Sequence, residues 1–471
     1  MLNRRGLMGA ALVGMGLAGC GEEAASEPQL VPAGDGSPPP LPESLAATLG
    51  ALLDGSGSVG GVVVAARRGE PAGVFAWGDA RRAPRRPVTP ETLFHIGSNG
   101  KFITGVAVLQ LVQAGRIALS DRLGAHVTGL PSVLAQTPIA NLLHQTTGLP
   151  DYLDQVEDWS EPVSRRMIFD AVSEGRDFEP GEAWAYSNTN YFVLGWLIEA
   201  VSGMTYADYV RERVFAPAGL PFARPDASAA DIAARAQGFT LNGAKLSKAD
   251  QMEDEMSRAA DGGVLFSALD WAPWCRALAA STLMLPETAA LAWQPGSLRT
   301  GRAAPYGAGV FLERCRGQAL HHHTGSVPGF VSQTMAFGGS GIQVLAVCNT
   351  DEDGEPPLED LALAIAEGLA PGSTYLTQPV MAEDARTALL RRAFRRADAD
   401  LPDSLLASEI IASGGETAPS WGVRPGHVFA PVERWSVTGG EMVRYRWVGD
   451  NGERGHIVVG WTGDDEVFWI Y

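Results

Sequence analysis

The sequence predicts a mixed α/β (α+β) fold: an antiparallel sheet flanked by helices, an all-helical lobe set into it, and a small α+β domain at the C-terminal end. Three observations carry this. Strand-like runs at 59–66 and 73–77 are joined by Arg67-Arg68-Gly69-Glu70, which reads as a hairpin. From about residue 104 to 260 the apolar spacing turns helical, punctuated by Gly and Pro. From Gly307 to Asn349 the strands return, at Gly307 to Cys315, Ala319 to Thr324 and Ser332 to Cys348, the last broken by a turn at Gly338-Gly-Ser-Gly341. Strands that stop for a helical insert and then resume belong to one sheet. A functional cleft is expected where sheet and lobe meet.

The chain opens on a segment that is not part of this fold. Asn3-Arg4-Arg5 is a charged n-region, Gly6 to Ala18 a short apolar run, and Leu17-Ala-Gly-Cys20 a small-residue site ending in cysteine. Residues 1–20 resemble a bacterial lipoprotein signal, and the resemblance implies that Cys20 is lipidated and the mature protein exported and anchored to a membrane, in the periplasm or at the cell surface. Residues 21–43, rich in Glu, Pro, Gly and Ser, read as a tether. A formal charge of −18 argues against nucleic acid as a partner. Besides Cys20 there are three scattered cysteines, Cys275, Cys315 and Cys348. They read as buried thiols, with a Cys315–Cys348 bridge as the alternative.

Residues 44–54 read as a helix that precedes the hairpin. The loop Arg81-Arg-Ala-Pro-Arg-Arg86 reads as a solvated basic turn. The stretch that needs an explanation follows. Phe94-His-Ile-Gly-Ser98-Asn-Gly-Lys101 leads into the apolar run Phe102 to Ala114 and stops at Gly115. Ser98 is placed as an N-cap or first-turn residue, and Lys101 lies one turn later on the same face. The helix is apolar on nearly every side, so it must be buried, and a lysine in a buried helix is costly unless it is paired or used. The chain has only three lysines, Lys101, Lys245 and Lys248. A serine needs an adjacent base to become a nucleophile, and a desolvated lysine can lose its proton near neutral pH. A capping serine followed by an unremarkable lysine is the competing reading.

Two further motifs bear on the choice. In Phe178-Glu-Pro-Gly-Glu-Ala-Trp-Ala-Tyr186-Ser-Asn188, a Pro-Gly turn is followed by a phenol and an amide two residues apart on a loop, ahead of the helix Phe192 to Val201. Both can point into one cleft, Tyr186 to relay a proton and Asn188 to hold a carbonyl. In His321-His-His323-Thr324-Gly325-Ser326, the end of a strand, alternation puts His321 and His323 on one face and His322 on the other, and Gly325 allows a close approach. Neighbouring strand residues cannot converge on one ion, so no metal or cofactor is expected.

Together these residues resemble the serine β-lactamase and D-Ala-D-Ala carboxypeptidase superfamily, in the branch of class C enzymes, their esterase relatives and penicillin-sensitive carboxypeptidases. Ser98-x-x-Lys101, Tyr186-x-Asn188 and His323-Thr324-Gly325 match the three family motifs in order, supported by Pro87-Val-Thr-Pro-Glu-Thr-Leu-Phe94, Asn141-Leu-Leu-His-Gln-Thr-Thr-Gly-Leu-Pro-Asp-Tyr152 and Gly262-Gly-Val-Leu-Phe-Ser267. The resemblance implies a β-lactamase/transpeptidase-like fold over 44–372. It implies that Ser98 forms an acyl-enzyme, with Lys101 and Tyr186 sharing the base and acid work in an order it leaves open. Backbone N–H groups of Ser98 and Ser326 would form the oxyanion hole. Asn188 would hold the substrate amide, and His323 with Thr324 would face the leaving group or a substrate carboxylate. Many β-lactamases of the superfamily carry lysine where His323 stands, so the match is nearer to carboxypeptidase-type amide or ester hydrolases acting on small molecules or peptides, peptidoglycan peptides among them. An esterase, a weak β-lactamase or a non-catalytic penicillin-binding sensor are the alternatives. Residues 382–471 lie outside the resemblance and read as a helix, 382–396, followed by four strands. Their aromatics Trp435, Tyr445, Trp447, Trp461 and Trp469 read as a core in preference to a ligand pocket.

Overall fold

The structure is a computed structural model and describes residues 38–156, 163–225, 234–249, 260–393, 428–448 and 454–470. The proposed signal segment with Cys20, and the tether up to residue 37, lie outside the described residues, as do 394–427 and 449–453.

Helix α1 (Glu43–Leu53) leads into β1 (Gly60–Arg67) and β2 (Glu70–Arg82), closed by Arg68 and Gly69, both at positive φ. That is the backbone a two-residue hairpin loop requires. A short β3 (Arg85–Pro87) follows. The next strands of the same sheet come more than two hundred residues later: β4 (Phe311–Cys315), β5 (Gln318–Val327), β6 (Phe330–Phe337) and β7 (Ile342–Cys348). The sheet order is β3-β2-β1-β7-β6-β5-β4, and every pair is antiparallel. The strand carrying His-Thr-Gly is longer than expected and runs to Val327, so Gly325 and Ser326 lie within it.

Alternation divides the sheet's side chains between two cores. Val63, Ala65, Val344 and Ala346 face α1 and α5 (Leu358–Leu369), where they meet Leu45, Leu49 and Leu361. Val62, Val64, Leu345 and Val347 face the other way, toward α2 (Gly100–Gln113), α3 (Asn188–Ser202) and α4 (Ala268–Ala279). Helix α2 is buried on almost every side, as its composition requires. It ends beside Gly115 at φ +64. No helix among the described residues is long and apolar enough to cross a membrane.

The C-terminal part comprises α6 (Ala385–Ala393) and an antiparallel meander of β8 (Val428–Val437), β9 (Gly440–Val448), β10 (Arg454–Trp461) and β11 (Val467–Ile470). Trp435, Tyr445, Trp447 and Trp461 are buried. The Trp469 side chain is outside the described residues. Trp435, Met442 and Val458 join the core on the α2 side of the main sheet, so the meander shares apolar packing with it. The three described cysteines are free and buried. Cys315 donates to the Ser373 carbonyl and Cys348 to that of Thr350, so the alternative of a Cys315–Cys348 bridge is set aside.

Candidate active site

Ser98 does not cap α2. It lies in a tight 3-10 turn, Gly97–Asn99, that precedes the helix, and Asn99 makes no side-chain cap. The turn is fastened from beneath. The Asn99 amide donates to Ser332 Oγ (2.8 Å) and accepts from Thr334 Oγ1 (2.5 Å), and Ser332 Oγ donates to the Ile96 carbonyl (2.7 Å). Strand β5 lies flush against the turn because both contact residues are glycines. A Cβ on Gly325 would come within 2.1 Å of the Ile96 oxygen, and one on Gly97, at φ +50, within 2.8 Å of the Ser326 nitrogen. The backbones of Ser98 and exposed Ser326 are thereby adjacent, with Thr324 half-buried beside them.

Lys101, one turn into α2, is buried, and its ammonium has three acceptors: Ser98 Oγ (2.9 Å), Asn188 Oδ1 (2.6 Å) and the Asp261 carbonyl (2.6 Å). Three donors meet three acceptors, none of them a carboxylate. Burial pushes its pKa down to about 8, against the pull of the Asp261 and Asp151 carboxylates farther out. On losing a proton the amine keeps two donors for Asn188 and Asp261 and turns a lone pair toward Ser98, whose hydroxyl becomes the donor. The geometry therefore serves both protonation states of Lys101.

Tyr186 precedes α3, with Ser187 at the N-cap position, so Asn188 opens the helix instead of sitting on a loop as the sequence suggested. The Tyr186 ring lies 5.0 Å from Lys101 Nζ. Its hydroxyl is buried without a well-formed hydrogen bond. Burial holds that phenol well above its ordinary pKa, although the Ser98 hydroxyl pulls it down, so the O–H stays protonated. The loop is splinted by Gln145, a non-glycine residue at φ +60: its carbonyl accepts from Ala185 N (3.1 Å), and its side-chain oxygen accepts from Ser187 N (3.1 Å) and from the Asn190 amide.

His323 lies inside the protein. It is buried, its Nε2 is 2.7 Å from the Tyr306 hydroxyl and its Nδ1 2.5 Å from the Thr324 carbonyl. Both ring nitrogens are spent inside the protein, and the ring packs 5.9 Å from that of Tyr186. Burial, then the Lys101 charge, lowers its pKa to about 3, so the ring is neutral. The structure thus places His323 beside Tyr186, and of the His-Thr pair expected to face the leaving group or a substrate carboxylate only Thr324 retains exposure. The neighbouring histidines diverge: His321 stacks on Trp293 (4.3 Å), and His322 stacks on Phe311 (5.4 Å) and pairs with Glu313 (3.2 Å).

The structure thus brings Ser98, Lys101, Tyr186, Asn188, Gly325 and Ser326 together. Sequence reading missed Asp151, Asp261, Gln145 and Tyr306. Asp151 and Gln145 sat inside a phrase matched to the superfamily, and Asp261 stands next to another, Gly262-Gly.

A serine hydroxyl bonded to a buried lysine, with a phenol over that lysine, defines a site of the serine acyl-hydrolase kind. Residues 45–368 match the family model described as Beta-lactamase, and the chain belongs to that family. It is similar to "Penicillin-binding protein 4*" of Bacillus subtilis (strain 168), 27% identical over 336 residues, which are 67% of this chain and 73% of that one. "D-aminopeptidase" of Brucella anthropi is 28% identical over 298 residues, 62% of this chain, and the chain spans only 56% of that relative's length. Among solved structures, the octameric penicillin-binding protein homologue from Pyrococcus abyssi superposes with a TM-score of 0.61 at 19% identity, covering 90% of this chain and 94% of that chain. At that identity the likeness is one of fold. It extends past residue 368, the end of the family match, because a match ending there could not cover 90% of the chain.

Proposed function

We propose that this chain is a serine hydrolase in which Ser98 attacks the carbonyl of an amide or ester, forms an acyl-enzyme and is released by water. The hydrogen bond between Lys101 Nζ and Ser98 Oγ, made by a lysine that burial holds at a pKa of about 8, carries the reading. Neutral Lys101 takes the Ser98 proton, and Tyr186, held protonated, donates toward the leaving group. The N–H groups of Ser98 and Ser326 receive the oxyanion. Losing one such donor typically costs about 3 kcal/mol of transition-state stabilisation.

The substrate class is most like that of a D-Ala-D-Ala carboxypeptidase: small peptides carrying D-residues, peptidoglycan peptides among them. A penicillin-binding protein and a D-aminopeptidase among the relatives support this class. The Leu-Ala-Gly-Cys20 site supports export as a lipoprotein held to a membrane through residues 21–43, with a hydrolase domain at 44–372 and an accessory domain at 382–471. Replacing Cys20 by Ala is expected to release the protein from membranes.

The test is mass spectrometry of products from D-Ala-D-Ala peptides, D-amino-acid amides, nitrocefin and p-nitrophenyl esters, with Ser98→Ala as control. Turnover of a D-peptide by wild type alone supports the proposal. An adduct that is never released would mark a penicillin-binding sensor, and no product from any substrate would overturn the hydrolase reading.

A further inference from the structure

Asn188 stands between two charged groups. Its Oδ1 accepts from Lys101 Nζ (2.6 Å), and its Nδ2 donates to Asp151 Oδ2 (2.8 Å). The two ends of an asparagine amide have nearly the same shape, and only their neighbours decide which end faces which way. An ammonium only donates and a carboxylate only accepts, so a flipped amide would set donor against donor at Lys101 and acceptor against acceptor at Asp151. Asp151 is itself held: its Oδ1 accepts from Leu153 N (3.1 Å) at the start of the 3-10 turn Tyr152–Gln155. The whole run is Leu153 N, Asp151, Asn188, Lys101, Ser98, with no solvent-facing link longer than a hydrogen bond.

We infer that Asp151 is a positioning residue for the acyl-transfer site: through the Asn188 amide it aims Lys101 at Ser98, and its carboxylate adds, beside that of Asp261, to the counter-charge that Lys101 lacks in direct contact. This rests on the proposed roles of Ser98 and Lys101. The groups that face Lys101 are Ser98 on its own segment, Asn188, Tyr186 and Tyr191 from α3 and the loop before it, Asp261 through its carbonyl, and His323 from β5. The Asp261 carboxylate pulls on the Lys101 charge as well, more strongly than Asp151 does, but its hydrogen bond comes from the Tyr152 hydroxyl (2.9 Å) and not from the Asn188 amide. Asp151 therefore is the carboxylate that reaches Lys101 through a single intervening side chain. A site with this wiring ties the charge of the base to a half-buried acid, whose own pKa burial lifts to about 6.

The simpler role for Asp151 is to cap the turn at Tyr152–Gln155, and the experiment separates the two. Asparagine at 151 keeps one oxygen for the Leu153 N–H cap, while its NH2 stands where the oxygen that accepts from the Asn188 amide was, so it spares the turn and removes both the charge and that acceptor. Lysine side-chain NMR, with only three lysines to resolve, reads the Lys101 deprotonation midpoint without any need for turnover. In Asp151→Asn that midpoint is expected to fall by roughly one pH unit. Asp151→Ala, which removes the cap as well, is expected to lower the acylation rate by about 10²-fold. An unchanged Lys101 midpoint in Asp151→Asn would overturn the inference, and so would a wild-type acylation rate in Asp151→Ala. If wild type itself forms no Ser98 adduct, the hydrolase reading falls by that separate result, and the NMR midpoint still decides whether Asp151 governs the lysine.

Discussion

Among the described residues two cations, Arg444 and Lys101, are buried, and they are held in opposite ways. Arg444, on β9, is 1% exposed and meets two carboxylates directly, Glu313 Oε2 at 2.5 Å and Glu433 Oε2 at 3.2 Å, with the Arg314 carbonyl at 2.6 Å and the Tyr375 ring 4.3 Å from its guanidinium carbon. Burial works against its charge, yet its neighbours, Glu313 first among them, together more than restore it, and the arginine's pKa is raised. Lys101 meets three neutral oxygens, and its carboxylates stand one residue farther off. Its pKa falls to about 8. The difference separates a structural charge from a working one. Direct pairing fixes the Arg444 proton and bolts the C-terminal meander to β4; indirect pairing leaves the Lys101 proton free to move at ordinary pH.

Removing the working cation should abolish chemistry while sparing the fold. Lys101→Met is expected to lower the Ser98 acylation rate by about 10²- to 10⁴-fold, read by stopped-flow or intact mass, with a cooperative unfolding transition retained in denaturant. Loss of folding together with activity would erase the contrast.

Removing the structural cation should do the reverse. Arg444→Met leaves Glu313 and Glu433 buried without their partner, and a broken buried pair costs roughly 3–5 kcal/mol. Equilibrium unfolding measures it, and the acylation rate of the molecules that remain folded should change far less than in Lys101→Met.

A pH scan sharpens the same point. Burial pushes the Glu313 carboxyl up, but His322 and Arg444 outweigh it and hold its pKa below the ordinary value. A carboxylate depressed in the folded state contributes stability above the unfolded value of about 4.3, and that contribution is lost as pH falls through the lower folded value. Glu313→Gln should therefore be less stable than wild type at neutral pH and show a flatter loss of stability below about pH 4.3. Parallel curves for the two proteins would contradict the pairing.

The smallest effect is expected at His323. Because both its nitrogens are engaged by Tyr306 and Thr324, His323→Lys should leave the preference between carboxylate-bearing and neutral substrates unchanged, whatever it does to stability. A gain for carboxylate substrates would put that side chain in the cleft after all.

The sequence showed the residue types of the site better than their connections. Ser98 and Lys101 were legible because a lysine in an apolar helix is conspicuous in a chain with three lysines, and because one helical turn separates them. Tyr186 and Asn188 were legible as types. The Asn188–Asp151 bond, across 37 positions, and the Lys101–Asp261 bond, across 160, were not, because nothing in local spacing says which distant loops meet. The burial of His323 was not legible for a related reason: strand alternation gives the face of a side chain and says nothing about how deep that face lies. The fold followed the pattern of strands, helical insert and strands, with errors at ends, such as β5 running on to Val327 and Asn188 joining α3, and one inside the stretch expected to be helical, where Phe239–Asn242 and Lys245–Lys248 pair as strands. The link from Arg444 to Glu313 lay beyond reach, since it joins the meander to a strand 131 residues earlier.

The most direct measurement of the central claim is the rate of adduct formation at Ser98 as a function of pH, followed by intact-mass spectrometry with an acylating β-lactam or activated ester and located by peptide mapping. A single adduct on Ser98 is expected, formed at a rate that rises with pH through a midpoint near the Lys101 value of about 8. No adduct, an adduct on another residue, or a rate that stays level across that range would contradict it.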